Sequence, residues 1–141
     1  MLVRLLYASH ATQSIDDKFL EEILSASKKH NSDAGITGIL CYTGKTFVQV
    51  LEGGRSEVSR LYNRIVADNR HKGCEILLFE NITERRFSNW TMGQVNLSKV
   101  NPSTLLRYST KPELDPFAVS GHISLALLEE LINTAAIATR N

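Results

Sequence analysis

The sequence predicts an α+β fold in which one sheet carries two helices on the same face. The first observation is the run 47–53, Phe-Val-Gln-Val-Leu-Glu-Gly, whose apolar residues occupy both phases of a period-two pattern. Such a strand is buried on both faces. The second observation is that apolar residues recur at helical spacing in two segments, 15–24 and 58–66. The third is that strands and helices follow one another in the order β-α-β-β-α-β.

Length, composition and charge are those of one globular domain. The chain has 141 residues, of which 43% are apolar and 22% charged, with a net charge of +1. It can bury a core, and it has no field that would concentrate nucleic acid or an anionic membrane. No apolar run is long enough to span a membrane and no signal peptide is present, so we expect a cytoplasmic protein. Cys41 and Cys74 lie apart in apolar runs, which predicts buried free thiols and no metal site.

The first strand is predicted over 1–9 and is apolar on both faces, which favours a central place in the sheet. Tyr7 brings a hydroxyl into this run, and a buried tyrosine often donates to a backbone carbonyl. Ser14 is the predicted N-cap of the first helix. By spacing alone Asn31 is a C-cap residue, because asparagine tolerates the left-handed conformation. The apolar stripe of this helix consists of Ile15, Phe19, Leu20, Ile23 and Leu24.

The second strand is predicted over 35–42, and a Gly-containing turn at 43–46 joins it to the run 47–53 as a hairpin. Ser56 is the candidate N-cap of the second helix. The fourth strand is predicted over 74–80. The stripe of the second helix has the most regular periodicity in the chain and consists of Val58, Leu61, Tyr62, Ile65 and Val66.

This order of elements is the ferredoxin-like arrangement, which places the first and third strands side by side in the centre of the sheet. Tyr7 and Gln49 then lie on neighbouring strands, within hydrogen-bonding reach if they face the same side. Gln49 needs a partner, because a buried amide without one costs about 1–3 kcal/mol. A side chain or a bound ligand can supply that partner. The alternative is a glutamine exposed on an edge strand, and the apolar flanks argue against it.

A fifth strand is predicted over 91–96, with Trp90 and Met92 in the same phase. Asn101 and Asp115 each precede a proline, as a cap precedes the first helical position. These two positions predict a short helix and then a longer one.

The longer C-terminal helix, which Gly121 interrupts in this prediction, has an apolar stripe that can cover the open face of the sheet. No linker separates this part of the chain from the rest. We therefore expect a C-terminal helical extension, 98–141, that caps the domain 1–97 and belongs to the same fold. The stripe consists of Leu125, Leu128, Leu131, Ile132 and Ala135.

Familiar catalytic motifs are absent from the sequence, which contains no phosphate-binding loop, no nucleophile elbow and no metal cluster, so no enzyme is expected. A ferredoxin-like RNA-binding module is the alternative function. RNA-recognition motifs display aromatic residues on the first and third strands, where this chain has Tyr7 and Phe47. Their Lys/Arg-Gly-aromatic signature is missing, and the net charge is close to zero.

Five pieces of the sequence together resemble the BLUF family of flavin-binding blue-light sensors, over roughly residues 1–97. The pieces are Tyr7, Asn31 before Thr37-Gly38-Ile39-Leu40, Phe47-Val48-Gln49-Val50-Leu51-Glu52-Gly53, Asp68-Asn69-Arg70-His71, and Trp90-Thr91-Met92. The fold of that family is the ferredoxin-like sheet predicted above. The resemblance implies a flavin ring that lies between the two helices.

The resemblance also implies roles for individual residues. Gln49 would bridge the Tyr7 hydroxyl and the N5/O4 edge of the flavin, and Asn31 would hydrogen-bond its carbonyl and imide edge. Ile23 and Ile65 would sandwich the ring. The other implied positions are Asp68, Arg70 and His71 near the ribityl and phosphate end, Trp90 and Met92 on the fifth strand near Gln49, and Ser9, Ser27 and His30 as secondary candidates.

The function that the resemblance implies needs no covalent bond to the cofactor. Blue light would excite the flavin, and Tyr7 would give it an electron and a proton through Gln49. Recombination would leave the Gln49 amide rearranged and the absorption shifted to the red. FAD is the expected cofactor, for which FMN or riboflavin can substitute. The expected partner is a separate downstream protein or a second copy of the chain, bound through the C-terminal helices, with no nucleic acid and no membrane.

Overall fold

The computed structural model describes residues 1–134, 137 and 138, and its strands form one mixed sheet with helices on both faces. The strands are β1 (Leu2–Ala11), β2 (Thr37–Thr43), β3 (Thr46–Gly54), β4 (His71–Ile82) and β5 (Gly93–Asn96). The helices are α1 (Asp17–Ala34), α2 (Arg55–Ala67), α3 (Pro102–Leu106) and α4 (Gly121–Leu131), and a short 3-10 turn covers Leu97–Lys99.

The order of strands in the sheet is β4-β1-β3-β2-β5, which confirms the predicted ferredoxin-like arrangement with a fifth strand. β5 runs parallel to β2, and the other neighbouring strands are antiparallel. β1 and β3 are therefore central, and their register places Tyr7 directly opposite Gln49. A cross-strand pair of this kind has its Cβ atoms about 4.5–5.5 Å apart, close enough for the two side chains to interact.

The alternation along β3 divides the interior into two apolar clusters. Phe47 and Leu51 belong to the cluster beneath α1 and α2, whereas Val48 and Val50 belong to the cluster beneath the C-terminal helices. Gln49 shares the phase of Phe47 and therefore faces α1 and α2. The run is buried on both faces, as its sequence pattern predicts.

The C-terminal helices cover the face of the sheet that α1 and α2 leave open, which confirms that prediction. Leu127, Leu128 and Leu131 of α4 are fully buried against this face. Full burial of a leucine stabilises a fold by about 1.5–3 kcal/mol relative to exposure. Leu125 is also buried, and Ile132 follows the helix and packs against the same cluster. The predicted contribution of Ala135 lies outside the described residues.

The predicted start of the long C-terminal helix is wrong. Asp115 accepts a hydrogen bond on its side chain from the Phe117 N–H, at 3.0 Å, and so closes a turn instead of capping a helix. α4 begins at Gly121, which therefore starts the helix and does not interrupt it, with Ser120 as the N-cap. The cap of α3 is the predicted one, since the Asn101 side chain accepts from the Ser103 N–H.

The predicted caps of α1 and α2 are also wrong. α1 is capped by Asp16, whose carboxylate accepts from the Phe19 N–H at 2.8 Å, and not by Ser14. α2 begins at Arg55 without a side-chain cap, so Ser56 lies inside the helix. The strand bounds differ by a few residues, most at β4, which is longer than 74–80 at both ends. Val66, placed in the buried stripe of α2, is half exposed.

The interpretation of Asn31 as a C-cap is wrong as well. α1 continues for three residues beyond Asn31 and ends at Gly35, which has the left-handed φ of 70°. The Gly35 N–H reaches the Asn31 carbonyl, and glycine adopts this conformation at lower cost than asparagine. The Asn31 side chain is therefore available for another role within the last turn of the helix.

Candidate functional site

A cavity of about 270 Å3 lies between α1, α2 and the sheet. Small-molecule pockets in proteins are typically about 300–1,000 Å3, so this cavity is near the lower end of that class. Its lining comes from both helices, the central strands and the turn before β4. The lining residues are Tyr7, Ile23, Ala26, Ser27, His30, Asn31, Leu40, Gln49, Leu61, Arg64, Ile65, Asp68, Arg70 and His71.

A chain of three side chains forms one wall of the site. The Tyr7 hydroxyl donates to Oε1 of Gln49, and Nε2 of Gln49 donates to the sulfur of Met92 at 3.1 Å. All three residues are buried. The partner that Gln49 requires is therefore a tyrosine on the neighbouring strand, and the Tyr7 hydroxyl does not bond a backbone carbonyl. A thioether is only a weak acceptor, so the amide nitrogen is held much less firmly than the amide oxygen.

The environment of Tyr7 keeps its hydroxyl protonated. Burial raises the pKa of Tyr7 well above its usual value, and the neighbouring Cys74, Tyr62 and Asp68 raise it further. The Tyr62 ring packs edge-on against Tyr7, with the ring centroids 5.5 Å apart. A phenol in this setting does not lose its proton alone at any ordinary pH.

Asn31 supplies two polar atoms with no partner among the described residues. Its side chain is fully buried, and neither Oδ1 nor Nδ2 makes a hydrogen bond. A buried amide without partners costs about 1–3 kcal/mol, and natural proteins rarely leave one in this state. Because Asn31 lines the cavity, its donor and its acceptor are both available to a ligand with complementary groups on one edge.

The apolar walls of the cavity face each other across the gap between the helices. Ile23 lies on α1 and Ile65 on α2, and both are half-buried at the edge of the apolar cluster. Leu40 of β2 and Leu61 of α2 complete the apolar lining. A planar, largely apolar ring with hydrogen-bonding groups on its edge fits such a slot.

One end of the cavity is polar and contains an arginine–aspartate ion pair and a histidine. Arg70 donates to both carboxylate oxygens of Asp68, with the closest contact at 2.7 Å, and these hydrogen bonds hold the pKa of Asp68 below its usual value. Burial lowers the pKa of His71, whose Nδ1 lies 2.9 Å from the Ser9 hydroxyl. Ser9 does not line the cavity itself but orients the imidazole that does.

The structure brings all eight residues proposed to bind cofactor to the lining of this single cavity; their contacts with flavin stay predictions. Of the secondary candidates, Ser27 and His30 also line it. The Ser27 hydroxyl donates to the carbonyls of Ile23 and Leu24 within its own helix. Sequence reasoning missed Ala26, Leu40, Leu61 and Arg64. Arg64 hydrogen-bonds His30 across the mouth, and its position one turn before Asp68 on α2 was the available signal.

The predicted shared face for Trp90 and Met92 is wrong. β5 starts at Gly93, so both residues precede it in an irregular segment where strict alternation does not hold. Met92 packs in the cluster beneath α1 and α2 and contacts Gln49, whereas Trp90 packs against the cluster beneath the C-terminal helices. Trp90 therefore lies on the opposite side of the sheet from the cavity.

The residues of the cavity fit a flavin, and they do not fit the RNA-binding alternative. The orphaned Asn31 amide can pair with a ring edge that offers a carbonyl and an imide, and the two isoleucines can cover the ring faces. In the alternative, Tyr7 and Phe47 would stack on bases at the open face of the sheet. Both are fully buried on the helix-covered face, and α4 covers the other face. The fold and the cavity thus define a protein that binds a planar cofactor next to a tyrosine–glutamine pair.

Comparison with known proteins identifies the family. The model of the family described as sensors of blue light using FAD matches residues 2–93. The blue light- and temperature-regulated antirepressor BluF of Escherichia coli K12 is 37% identical over 87 residues, which is 62% of this chain and 22% of that protein. This chain thus spans about a fifth of the length of that relative.

Two solved structures cover nearly the whole chain. The photo-activated state of BlsA superposes with a TM-score of 0.87 at 29% identity, covering 99% of this chain and 100% of that one. The dark state of BlrB, a BLUF protein, superposes with a TM-score of 0.77 at 36% identity, covering 93% of this chain and 94% of that one. The chain belongs to the BLUF family and is a blue-light sensor that binds flavin.

Two further properties concern the described residues as a whole. None of their helices is long and apolar enough to cross a membrane. Nor do they bring together a group of three or more His, Cys, Asp or Glu side chains that could hold a metal ion.

Proposed function

We propose that this chain senses blue light with FAD through Tyr7 and Gln49, and transmits the signal by contact with a separate protein. The observation that carries the proposal is the hydrogen-bonded chain Tyr7–Gln49–Met92 in the wall of a cavity that also contains the unpartnered Asn31 amide. When bound, flavin supplies the absorption of blue light and a ring that accepts electrons and protons.

Tyr7 is the residue that can release an electron and a proton together. Because burial raises the pKa of its hydroxyl, the proton stays in place until the electron leaves. Oε1 of Gln49 accepts the hydrogen bond from this hydroxyl and is therefore the first atom on the path of the proton. Tyr7 is packed against the Tyr62 ring and lies opposite Gln49 of β3. Its side chain therefore does not need to move before it gives up the electron and the proton.

Gln49 can adopt a second arrangement at low cost. In the structure its oxygen faces Tyr7 and its NH2 group faces the sulfur of Met92. A half-turn of the amide would give up a weak hydrogen bond to sulfur, and the nitrogen could still donate to the phenolic oxygen. The amide oxygen would then need a donor, or the amide would need its tautomer. One side chain with two alternative sets of hydrogen bonds is the bistable element that a switch requires.

FAD is the proposed cofactor, and two arginines in the lining of the cavity support it. Arg64 and Arg70 line the same cavity as the two isoleucines, and Arg70 is paired with Asp68. A phosphate-bearing tail attached to the ring could therefore accept hydrogen bonds from these guanidinium groups. We expect flavin extracted from the purified protein to be mainly FAD when separated by liquid chromatography. Extraction of mainly riboflavin, which has no phosphate, would contradict the proposal that these arginines bind the phosphate-bearing tail.

The proposed output is contact and not catalysis. The photo-activated state of BlsA superposes on 99% of this chain, including its C-terminal helices, which supports a role for these helices in the proposed contact. In this chain the residues 98–141 contribute α3 and α4, which complete the core, so we propose that they belong to the same folding unit as 1–97. Both cysteines are free, which supports a reducing, cytoplasmic environment; Cys41 is buried as predicted, whereas Cys74 is only partly buried.

The test compares light-minus-dark absorption spectra of three variants. Tyr7→Phe keeps the ring and removes the hydroxyl, and Gln49→Leu keeps the approximate volume and removes the amide. Both should bind flavin and lose the light-induced red shift. Tyr62→Phe is the matched control, since it removes a phenol from the ring that touches Tyr7, and it should keep the shift. A full red shift in either of the first two variants would refute the assignment.

A further inference from the structure

β5 is an edge strand of the sheet, and residues near the C-terminus of the chain cover its outer edge. β5 pairs with β2 on its inner side. On its outer side Gln94 and Ala138 exchange two backbone hydrogen bonds of 2.8 Å each, as an isolated antiparallel bridge. A sheet edge with such groups is a template on which another strand can pair, and proteins commonly cover it.

A side-chain niche accompanies this bridge. Ile137 packs against the cluster beneath the C-terminal helices. A Cβ added to Gly93 would lie 2.7 Å from Cγ2 of Ile137, 3.0 Å from Cγ2 of Ile39 and 3.1 Å from Cγ of Trp90. The missing side chain of Gly93 therefore creates the space in which Ile137 sits. The edge accepts a backbone and one aliphatic side chain together.

The edge also continues past the part that Ala138 uses. A crevice of about 260 Å3 follows β5 toward its C-terminal end. Tyr42, Asn96 and Lys99 line it together with Gln94 and Ala138. The lining also includes Asp17 of α1, so the crevice lies on the α1 side of the sheet. A strand paired antiparallel with β5 over more than a single bridge could place a side chain in it, because side chains alternate between the two faces.

β5, whose outer edge is covered, begins directly after Met92 in the chain. Met92 accepts the hydrogen bond from Nε2 of Gln49, and Gly93 and Gln94 are the next two residues of the chain. A displacement of Met92 therefore acts on the niche and on the bridge without any intervening element.

We propose that the outer edge of β5 is a docking edge for an extended strand of a separate protein, and that Ile137 and Ala138 are an intramolecular cover that must leave first. The partner strand pairs antiparallel with β5 and places an aliphatic side chain over Gly93, where Ile137 lies in the covered state. This is strand addition, in which backbone hydrogen bonds supply affinity and the niche supplies specificity. The light dependence of this docking rests on the function proposed above.

A separate protein suits this edge better than a second copy of the chain. The C-terminal segment of a second copy offers the same bridge and the same isoleucine. The chain's own tethered segment competes with that of a second copy, and its effective concentration is roughly millimolar, far above ordinary protein concentrations. An occupant that displaces the cover must therefore make more contacts than Ile137 and Ala138 make, for example by placing a further side chain in the crevice.

The first experiment tests the cover in the dark, in the full-length flavin-bound protein. Ile137→Asp should expel the cover, because it places a charge in an apolar niche. Hydrogen exchange of the Gln94 amide, which donates to Ala138, should then become at least about tenfold faster. Ile137→Val is the matched control and should leave the rate nearly unchanged. The Ala11 amide, which donates to the Lys45 carbonyl away from the niche, reports the integrity of the sheet and should exchange equally in all variants.

The second experiment tests docking with a fluorescein-labelled peptide that copies residues 132–141. The Ile137→Asp protein should bind this peptide at least about tenfold more tightly than the wild-type protein in the dark. A peptide with Ala138→Pro cannot donate to the Gln94 carbonyl and should not bind. Equal Gln94 exchange in wild type and Ile137→Asp would overturn the cover. Faster exchange without peptide binding would overturn the docking edge.

The third experiment separates this inference from the proposed photochemistry. In wild-type protein, blue light should produce the red shift, faster exchange of Gln94 and tighter peptide binding. A protein without the red shift fails as a sensor, while the dark comparisons above still decide the cover. A normal red shift with unchanged Gln94 exchange overturns the light-gated edge alone. A light-dependent dimer in scattering measurements would assign the edge to a second copy and overturn the separate partner.

Discussion

The replacement Asn31→Leu tests the fit between cavity and cofactor most directly, because it should change two free energies in opposite directions. In the flavin-free protein the Asn31 amide is buried and has no partner for either polar atom. Leucine removes the unpaired groups and keeps the branched shape of the side chain, with two larger methyl groups that can extend into the adjoining cavity. The change should therefore stabilise the flavin-free protein and weaken its affinity for flavin.

The magnitudes follow from the number of unpaired atoms. Burial of an amide without partners costs about 1–3 kcal/mol, so the free energy of unfolding of the flavin-free variant should rise by about that amount. The same two atoms would make two hydrogen bonds to flavin, worth about 0.5–1.5 kcal/mol each. Their loss corresponds to a dissociation constant about 5–150-fold larger.

Urea unfolding of the flavin-free protein and titration with flavin, followed by quenching of flavin fluorescence, measure the two quantities. Asn63→Leu is the matched control, since Asn63 is exposed in the middle of α2 and contributes the same change in helix propensity. It should alter flavin affinity by less than about twofold. A flavin-free Asn31→Leu protein that is no more stable than the control, with unchanged affinity, would refute the assignment of Asn31 to the cofactor.

Two further predictions concern buried charge. Glu52→Ala should lower the free energy of unfolding by about 3–5 kcal/mol, because it leaves the buried Arg4 with Glu80 alone and removes the acceptor of the Arg86 and Phe87 N–H groups. Glu57→Ala, which breaks an exposed pair, should cost less than about 1 kcal/mol. Equal urea midpoints for the two variants would contradict this. Burial lowers the pKa of His71, so below about pH 6.5 the unfolded chain binds more protons than the folded one, and stability falls as pH decreases. His71→Gln should flatten this part of the stability–pH profile, and an unchanged slope would exclude His71 as its source.

The pattern of apolar residues was enough to predict the sheet and its two covered faces. The apolar residues of β3 alternate between two clusters, and this alternation already requires Gln49 to face a covered surface. The helical periodicity and the order of elements then leave one arrangement, in which β1 and β3 are neighbours. These signals are local and repetitive, so a single sequence carries them in full.

The position of Asn31 required tertiary structure. The local sequence allows α1 to end either at Asn31 or at Gly35. In the folded chain the helix ends at Gly35, because the Gly35 N–H donates a hydrogen bond to the Asn31 carbonyl. Only then is the Asn31 side chain directed to the cavity. The resemblance to a known family, and not the spacing, assigned that side chain to the ligand.

The separation of Trp90 from Met92 and the cover over β5 also required tertiary structure. Alternation predicts a common face only inside a regular strand, and these two residues lie before β5 begins. Ile137 and Ala138 follow α4 in the chain and lie beside β5, which precedes α4. No periodic pattern links positions so distant in the sequence. Long-range contacts of this kind depend on which surfaces remain open after the core has formed, and that is a property of the packed structure.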